Sequence, residues 1–260
     1  MSLRITFSKP LYAYQLQEAL TMEVLLKTIT YTPTLPVTTS TNELIPVEID
    51  NLLKLSHPNV QRLLDYSYRS STKTWTMTLE YSSSWELLSD VIRSRALIED
   101  EVRDIIRQLL SAIVHCFNHG VDHRDVSINN VYLDRKTNKI KLGNFHHSTM
   151  LSVLPHSLKP PSSSPSSTPP ELYRQGFFSP HSAAVWSVGC LLFELLSGSK
   201  PILSTSDVAL NNVRWEMLSP RSISCEVYSL MLQCLNPNTE HRIPFNELVK
   251  HPWIINETLV

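Results

Sequence analysis

The 260-residue sequence lacks long apolar runs, an excess of basic residues and closely spaced cysteine pairs. No window approaches the roughly 18 consecutive apolar residues that a membrane-spanning helix needs. The best candidate, Val185 to Leu196, is shorter and contains Ser, Gly and Glu. The formal net charge is −1 and the sequence pI is about 6.8, so the basic surface typical of nucleic-acid-binding proteins is missing. We therefore expect neither a membrane nor a nucleic acid as a partner.

The four cysteines, Cys116, Cys190, Cys225 and Cys234, form no C-x-x-C pair, and three of them lie in apolar, helix-like stretches. Buried free thiols are typical of proteins in a reducing compartment. The first ten residues contain no apolar stretch of the kind found in signal peptides. These features predict a soluble intracellular protein, cytoplasmic or nuclear.

Hydrophobic residues make up 42% of the sequence, which is enough for a sizeable core in one domain or in two closely packed lobes. The first 80 residues contain short segments in which apolar and polar side chains alternate with the period of a β-strand. Strands are predicted at residues 3–7, 23–29 and 74–81. A helix is predicted at residues 48–55, ending before His57-Pro58-Asn59 because proline restricts the residue before it.

After residue 82 the apolar residues recur with helical spacing. Residues 98–118 predict a long amphipathic helix whose first turn is acidic, as the helix dipole favours. Further helices are predicted at 183–196, 226–235 and 243–249, a hairpin turn at 135–139, and a mobile Pro- and Ser-rich loop at 154–170. We expect an α+β protein with a small β-rich lobe at residues 1–81 and a larger helical lobe at residues 82–260.

The segment from His123 to Asn130 reads H-R-D-x-x-x-x-N, which is the catalytic-loop signature of protein kinases. Other short segments stand at kinase-like positions: Glu48 with His57-Pro58-Asn59, Arg107-Gln108-Leu109-Leu110, Asn236-Pro237, His241-Arg242-Ile243 and His251-Pro252-Trp253. Together they resemble a Ser/Thr protein kinase, most like the calcium/calmodulin- and AMP-activated-kinase branch, over roughly residues 10–255. The resemblance implies the bilobal protein-kinase-like fold, with the two lobes named above.

The resemblance assigns roles to the residues that match the family's motifs. Lys27 would neutralise phosphate oxygens of ATP and pair with the helix carboxylate of Glu48. Asp125 would be the base that accepts the proton of the substrate hydroxyl, and Asn130 would hold a magnesium ion. Alternatively, these four residues persist only as structural groups. The nucleotide would also contact the hinge between the lobes, formed by Leu79, Glu80 and Tyr81.

The groups that hold phosphate and metal in kinases are changed here. Residues 8–20, where the family has its G-x-G-x-x-G loop, contain no glycine, and side chains would keep backbone N–H groups away from phosphate. The D-F-G motif reads Asn144-Phe145-His146, so a neutral amide replaces a carboxylate that binds magnesium. Asn130 and Asn144 would form a weak metal site at best.

Three further substitutions concern the transition state and the adenine. Ser127 replaces the lysine that stabilises the transferring phosphate in kinases. Leu25 replaces the alanine of V-A-I-K in the roof over the adenine, and Tyr132 replaces the aliphatic floor. We expect Leu25 and Tyr132 to fill the adenine pocket, and this burial would stabilise the fold by about 25 cal/mol per Å² of apolar surface.

The helical lobe keeps some structural motifs of the family and loses one. Glu171 matches the glutamate of A-P-E and Arg242 its partner, which predicts a buried ion pair. Ala184 replaces the aspartate that braces the catalytic-loop backbone in kinases, so we expect a less rigidly held loop. A column of apolar contacts linking the lobes is expected from Leu52, His123 and Phe145.

These substitutions favour a pseudokinase, a regulatory module that binds a partner protein, such as an active kinase, and needs no cofactor. A second hypothesis is an atypical, weakly active Ser/Thr kinase that uses ATP and magnesium through Lys27, Glu48, Asp125 and Asn130, with Asn144 as a further magnesium ligand. A third is a switch that binds ATP without catalysis.

Overall fold

A computed structural model describes residues 4–5, 12–19, 22–30, 37–38, 45–151, 168–218 and 223–255. Most of the predicted loop at 154–170 lies outside these residues, as do parts of the predicted strand at 3–7 and of the glycine-free segment at 8–20. The α+β prediction is confirmed, since strands dominate the N-terminal part of the chain and helices the C-terminal part.

The N-terminal lobe is built on a five-stranded antiparallel sheet with the strand order β1-β2-β3-β7-β6. The alternation predicted for residues 74–81 is present, because every second side chain of β7 is buried. Two short strands, β4 and β5, pair beside helix α1. The elements are β1 (Arg4–Ile5), β2 (Tyr12–Ala19), β3 (Met22–Thr30), β4 (Val37–Thr38), β5 (Ile45–Pro46), α1 (Val47–Leu53), β6 (Leu63–Arg69) and β7 (Thr74–Glu80).

The C-terminal lobe packs helices around α3 and α5, which bury most of their apolar side chains. Helix α3 has the acidic first turn and the buried stripe that its sequence predicts. The elements of the C-terminal lobe up to residue 150 are β8 (Trp85–Leu87), α2 (Leu88–Ser94), α3 (Glu99–Asn118), β9 (Val121–Asp122), β10 (Val131–Asp134), β11 (Lys139–Leu142), a 3-10 turn (Phe145–His147) and β12 (Thr149–Met150).

The remaining elements are helical: α4 (Pro170–Gln175), α5 (Pro180–Ser197), α6 (Thr205–Leu210), a 3-10 turn (Trp215–Met217), α7 (Cys225–Cys234), α8 (Phe245–Leu248) and α9 (Pro252–Ile255). Cys116, Cys190 and Cys234 are buried as expected, whereas Cys225 is exposed at the start of α7. No helix in the described ranges combines the length and the apolar character that a bilayer crossing requires.

Some predicted bounds were wrong. Helix α1 ends at Leu53 rather than continuing to Leu55, and the C-terminal helix expected at 243–249 spans only Phe245–Leu248. Residues 12–19 of the glycine-free segment form strand β2. The sequence reading also missed β6, β8, α2, α4 and α6, whose patterns are too short or too irregular to show a clear period.

The predicted ion pair between Glu171 and Arg242 is confirmed. Both oxygens of Glu171 accept hydrogen bonds from the guanidinium of Arg242, each at 2.8 Å, and both side chains are almost fully buried. The guanidinium also lies 5.1 Å from the ring centroid of Trp186. The pair fixes the start of α4 against the segment between α7 and α8.

Replacement of Arg242 by alanine should lower the free energy of unfolding by about 3–5 kcal/mol, because it leaves the buried Glu171 carboxylate without its partner. Urea denaturation measures the change. Arg93→Ala is the matched control, since Arg93 pairs with Asp90 on the surface with 74% of its side chain exposed, and its loss should change stability by less than about 1 kcal/mol. Equal effects of both substitutions would contradict this account of the buried pair.

Candidate functional site

Lys27 and Glu48 form the ion pair that the motif reading predicted. Strand β3 carries Lys27 and helix α1 carries Glu48, and Lys27 Nζ lies 2.5 Å from Glu48 Oε1. Both residues are at most 5% exposed. The second oxygen of Glu48 has no hydrogen-bond partner in the described part of the chain. The pair holds α1 against the sheet in the absence of any ligand.

Asn144 continues this network toward the catalytic loop. Its backbone is left-handed, with φ = 57°, a conformation that asparagine tolerates better than most residues. Its Oδ1 accepts a long hydrogen bond from Lys27 Nζ at 3.5 Å, and its Nδ2 donates to Asn130 Oδ1 at 2.8 Å. Asn130 Nδ2 in turn donates to the backbone carbonyl of Asp125 at 2.8 Å and to Ser127 Oγ at 3.3 Å.

The bond between Asn144 and Asn130 depends on the amide at position 144. An ionised aspartate is only an acceptor, so it could not donate to Asn130 Oδ1. The amide therefore occupies the oxygen that Asn130 would offer to a magnesium ion. Within the described ranges, no group of three or more His, Cys, Asp or Glu side chains is placed to hold a metal ion.

Gln61 reaches the hinge from the segment before β6. It is 3% exposed, and its Nε2 donates to the backbone carbonyl of Glu80 at 2.9 Å. Its Oε1 lies 2.7 Å from the position that a Cβ on Gly143 would take, so no side chain fits at Gly143 without displacing Gln61. One acceptor position on a hinge carbonyl is thus taken by the chain itself. Sequence reasoning missed Gln61, because a lone glutamine carries no motif.

An aromatic cluster of Tyr81, Trp85 and Tyr132 lies beside the hinge. Trp85 has its ring centroid 6.1 Å from that of Tyr81 and 5.9 Å from that of Tyr132. Lys141 Nζ lies 5.6 Å from the Trp85 ring and pairs with the Glu80 carboxylate at 2.8 Å. Tyr132 also approaches Gly143, within 3.0 Å of the position of its absent Cβ. Tyr132 is half-buried, and Trp85 was not identified from the sequence.

Leu25 is 5% exposed and pairs in register with Leu79 of the hinge across strands β3 and β7. Tyr132 approaches the same hinge region through Trp85 and Gly143. That these two side chains fill an adenine pocket stays a prediction.

Two residues of the H-R-D motif, His123 and Asp125, are buried in the catalytic loop. His123 Nε2 donates to the carbonyl of Gly143 at 2.9 Å, and its ring meets Phe145 edge-on with centroids 4.6 Å apart. Leu52 of the expected apolar column is buried as well. Asp125 is only 1% exposed, and its Oδ1 has no hydrogen-bond partner in the described part of the chain.

Asp122, which precedes the H-R-D motif, is a buried carboxyl group that the motif reading missed. It is 5% exposed, and its Oδ1 accepts a hydrogen bond from the backbone N–H of Arg124 at 3.2 Å. Burial raises the pKa of Asp122 to about 7, although the charge of Arg124 opposes the shift. The only sequence signal was an acidic residue at the end of a short apolar segment.

Comparison with known proteins agrees with the resemblance that the sequence motifs indicate. Residues 15–254 match the model of the protein kinase domain. Similar proteins include the probable serine/threonine-protein kinase MARK-C of Dictyostelium discoideum, 30% identical over 210 residues, which cover 79% of this chain and 27% of that protein. CBL-interacting protein kinase 21 of Oryza sativa subsp. japonica is 31% identical over 220 residues, 82% of this chain and 41% of that protein.

CBL-interacting serine/threonine-protein kinase 24 of Arabidopsis thaliana is 31% identical over 212 residues, 79% of this chain and 46% of that protein. The chain thus spans less than half the length of these relatives.

The stability of the fold should fall as the pH rises from about 4 to 7, through the contribution of Asp122. The carboxyl group keeps its proton in the folded state up to pH about 7 and releases it near 3.8 when unfolded, so the unfolded state binds fewer protons in this window. A difference of about 3 pKa units corresponds to about 4 kcal/mol. The difference in unfolding free energy between Asp122→Asn and the parent chain, measured by urea denaturation from pH 4 to 8, should grow with pH. Parallel curves would contradict the buried-carboxyl assignment.

Proposed function

The chain belongs to the protein kinase domain family, and from this premise we propose that it is a pseudokinase. In this proposal the Ser/Thr-kinase-like domain binds a partner protein and regulates it, and it holds ATP and magnesium poorly. Lys27, Glu48, Asp125 and Asn130 then act as structural groups.

The observation that carries the proposal is the hydrogen bond from Asn144 Nδ2 to Asn130 Oδ1 at 2.8 Å. A magnesium ion at this position would have to break that bond and would then meet two neutral amide oxygens and the Lys27 ammonium, without a carboxylate from residue 144. Magnesium in protein sites is normally bound through one or two carboxylates together with phosphates and water. The site therefore favours its own closed hydrogen bonds over the metal.

The hinge side supports the same proposal. Gln61 Nε2 donates to the carbonyl of Glu80, Leu25 pairs with Leu79 across β3 and β7, and Tyr132 packs against Trp85 beside the hinge. A purine would have to displace these side chains and expose apolar surface that the fold now buries.

The partner in this proposal is a protein, such as an active kinase. The ion pair of Lys27 with Glu48 joins α1 to β3, and that of Arg242 with Glu171 joins α4 to the segment before α8. Buried ion pairs of this kind would fix the surface that a regulatory binding module presents to its partner.

A second candidate is a weakly active Ser/Thr kinase that uses ATP and magnesium. The closed pair of Lys27 and Glu48 and the contact between His123 and Phe145 favour it, because a kinase needs the lysine and the catalytic loop in this relation to phosphate. The serine at residue 127 and the amide at residue 144, which replace a lysine and a carboxylate of the family, weigh against it.

Addition of ATP and magnesium should leave the thermal unfolding midpoint of the chain unchanged. A nucleotide that bound the folded state would stabilise it by about 2.7 kcal/mol at a hundredfold excess over Kd. Differential scanning calorimetry with ATP, with magnesium and with both distinguishes the hypotheses. A shift of the midpoint with ATP alone would support the non-catalytic switch. A large magnesium-dependent shift would support the hypothesis of a weakly active kinase. In that case an Asp125→Ala comparison in a radiolabel phosphotransfer assay would test catalysis.

The matched variant for this experiment is Leu25→Ala. It removes three carbons from the expected roof and should raise the affinity for ATP above that of the parent chain. Leu230→Ala, a buried leucine in helix α7, should destabilise the fold without any gain in nucleotide affinity. If the two variants show the same change in affinity for ATP, the Leu25 side chain does not limit the space for the nucleotide.

Asn144→Asp should gain a magnesium-dependent stabilisation that the parent chain lacks. The substitution removes the donor to Asn130 Oδ1 and supplies the missing anionic oxygen. Stabilisation on the order of 1 kcal/mol is expected at magnesium concentrations several-fold above Kd, measured by thermal unfolding. Asn138→Asp is the control, because Asn138 also has a positive φ, of 55°, but lies in an exposed turn. Equal responses of all three proteins to magnesium would show that the amide bond does not exclude the metal.

A further inference from the structure

A cavity lies beneath the catalytic loop, apart from the hinge and the Asn144 network. It is enclosed by the end of α3, the loop around His123 and Arg124, the segment entering α4, and the first turns of α5. Most of its lining side chains are apolar, including Phe178, Leu172 and Ala184.

Asp122 is the one carboxylate among the described residues that line this cavity. Its Oδ1 accepts the backbone N–H of Arg124, whose φ of 64° is left-handed and therefore unfavourable for a side chain of this size. Its Oδ2 has no hydrogen-bond partner within the described part of the chain. A buried carboxyl group with one unpaired oxygen lowers the free energy of unfolding. The position of Asp122 beside a residue in the left-handed conformation therefore indicates a role that offsets this cost.

Residue 184, on the cavity wall that α5 forms, offers no side-chain acceptor, and the polar side chains on the far walls are the hydroxyls of Ser187 and Thr168. Ala184, in the first turns of α5, is 8% exposed and its side chain has no polar atom. A carboxylate at residue 184 would face the same loop from the other side of the cavity. The backbone N–H of Arg124 is bonded instead by Asp122. Asp122 is the last residue of β9 and pairs with Thr149 of β12.

We propose that Asp122 is a positioning residue that fixes the backbone of the catalytic loop at Arg124, in place of the support that Ala184 does not provide. The loop is then held by a residue two positions before Arg124 rather than by helix α5. This inference does not depend on whether the chain binds ATP, because it concerns the shape of the loop alone.

The charge of Asp122 is set by the groups around it. The Arg124 guanidinium and the His123 ring lie on its own segment, and the thiol of Cys116 faces it from α3. Burial raises the pKa of Asp122 to about 7. Burial, and after it the charge of Asp122, raises the pKa of the Cys116 thiol to about 12. An opened loop would release the proton of Asp122 near pH 3.8, whereas the closed loop keeps it up to pH about 7. Opening therefore becomes easier as the pH rises from about 4 to 7, and the loop should be held less tightly at pH 7 than at pH 4.

Hydrogen–deuterium exchange of the backbone amide of Arg124 tests the proposal. Asp122→Val, which keeps a strand-forming residue but removes the acceptor, should speed this exchange by about tenfold or more relative to the amides of α3. Asp122→Val combined with Ala184→Asp should restore protection, because the new carboxylate faces the loop from the opposite wall. Leu230→Ala controls for a general loss of stability, which would speed exchange throughout the chain.

The pH dependence provides a second readout that also covers the case in which Asp122→Val does not fold. Corrected for the intrinsic rate, protection of the Arg124 amide should fall from about pH 4 to 7 in the parent chain and stay level in Asp122→Asn, which keeps an acceptor but does not titrate. Unchanged exchange in Asp122→Val, or the same pH profile in the parent chain and Asp122→Asn, would overturn the proposal.

Discussion

A chain of side-chain hydrogen bonds connects the two lobes, and the arrangement of the site depends on it. It runs from Glu48 through Lys27, Asn144 and Asn130 to the backbone carbonyl of Asp125. Each member is buried or partly buried, so breaking the chain would leave polar groups without partners, at about 1–3 kcal/mol per group. The chain closes because residue 144 carries an amide, which can accept from Lys27 and donate to Asn130 at once.

The network joins helix α1, the Phe145 segment and the catalytic loop. Helix α1 also contacts this segment through the hydrogen bond from Asn51 Nδ2 to Ser148 Oγ at 3.0 Å. Under the proposed function, these amides supply cohesion that metal and phosphate supply in an active kinase. Gln61 donates to the hinge carbonyl of Glu80, and Trp85 and Tyr132 pack together beside the hinge.

Much of the fold and part of the site could be predicted from the sequence. The pairs Lys27–Glu48 and Glu171–Arg242 followed from motifs, because each joins residues whose spacing is diagnostic. Gln61, Trp85 and Asp122 could not be found that way. Their roles come from tertiary contacts between segments far apart in the chain, such as Gln61 with Glu80, and a single polar or aromatic side chain has no period or spacing to reveal it. The hydrogen bond between Asn144 and Asn130 could be found only from the structure, although the loss of the carboxylate was visible in the sequence.

The most direct test of the account observes the side-chain amides themselves. In a ¹H–¹⁵N NMR titration with ATP and magnesium, the side-chain NH₂ resonances of Asn144, Asn130 and Gln61 should stay where they are up to millimolar nucleotide. Resonances of all three that shift together and saturate would mean that nucleotide and metal displace these amides from each other and from the hinge, and the account of a self-occupied site would be wrong.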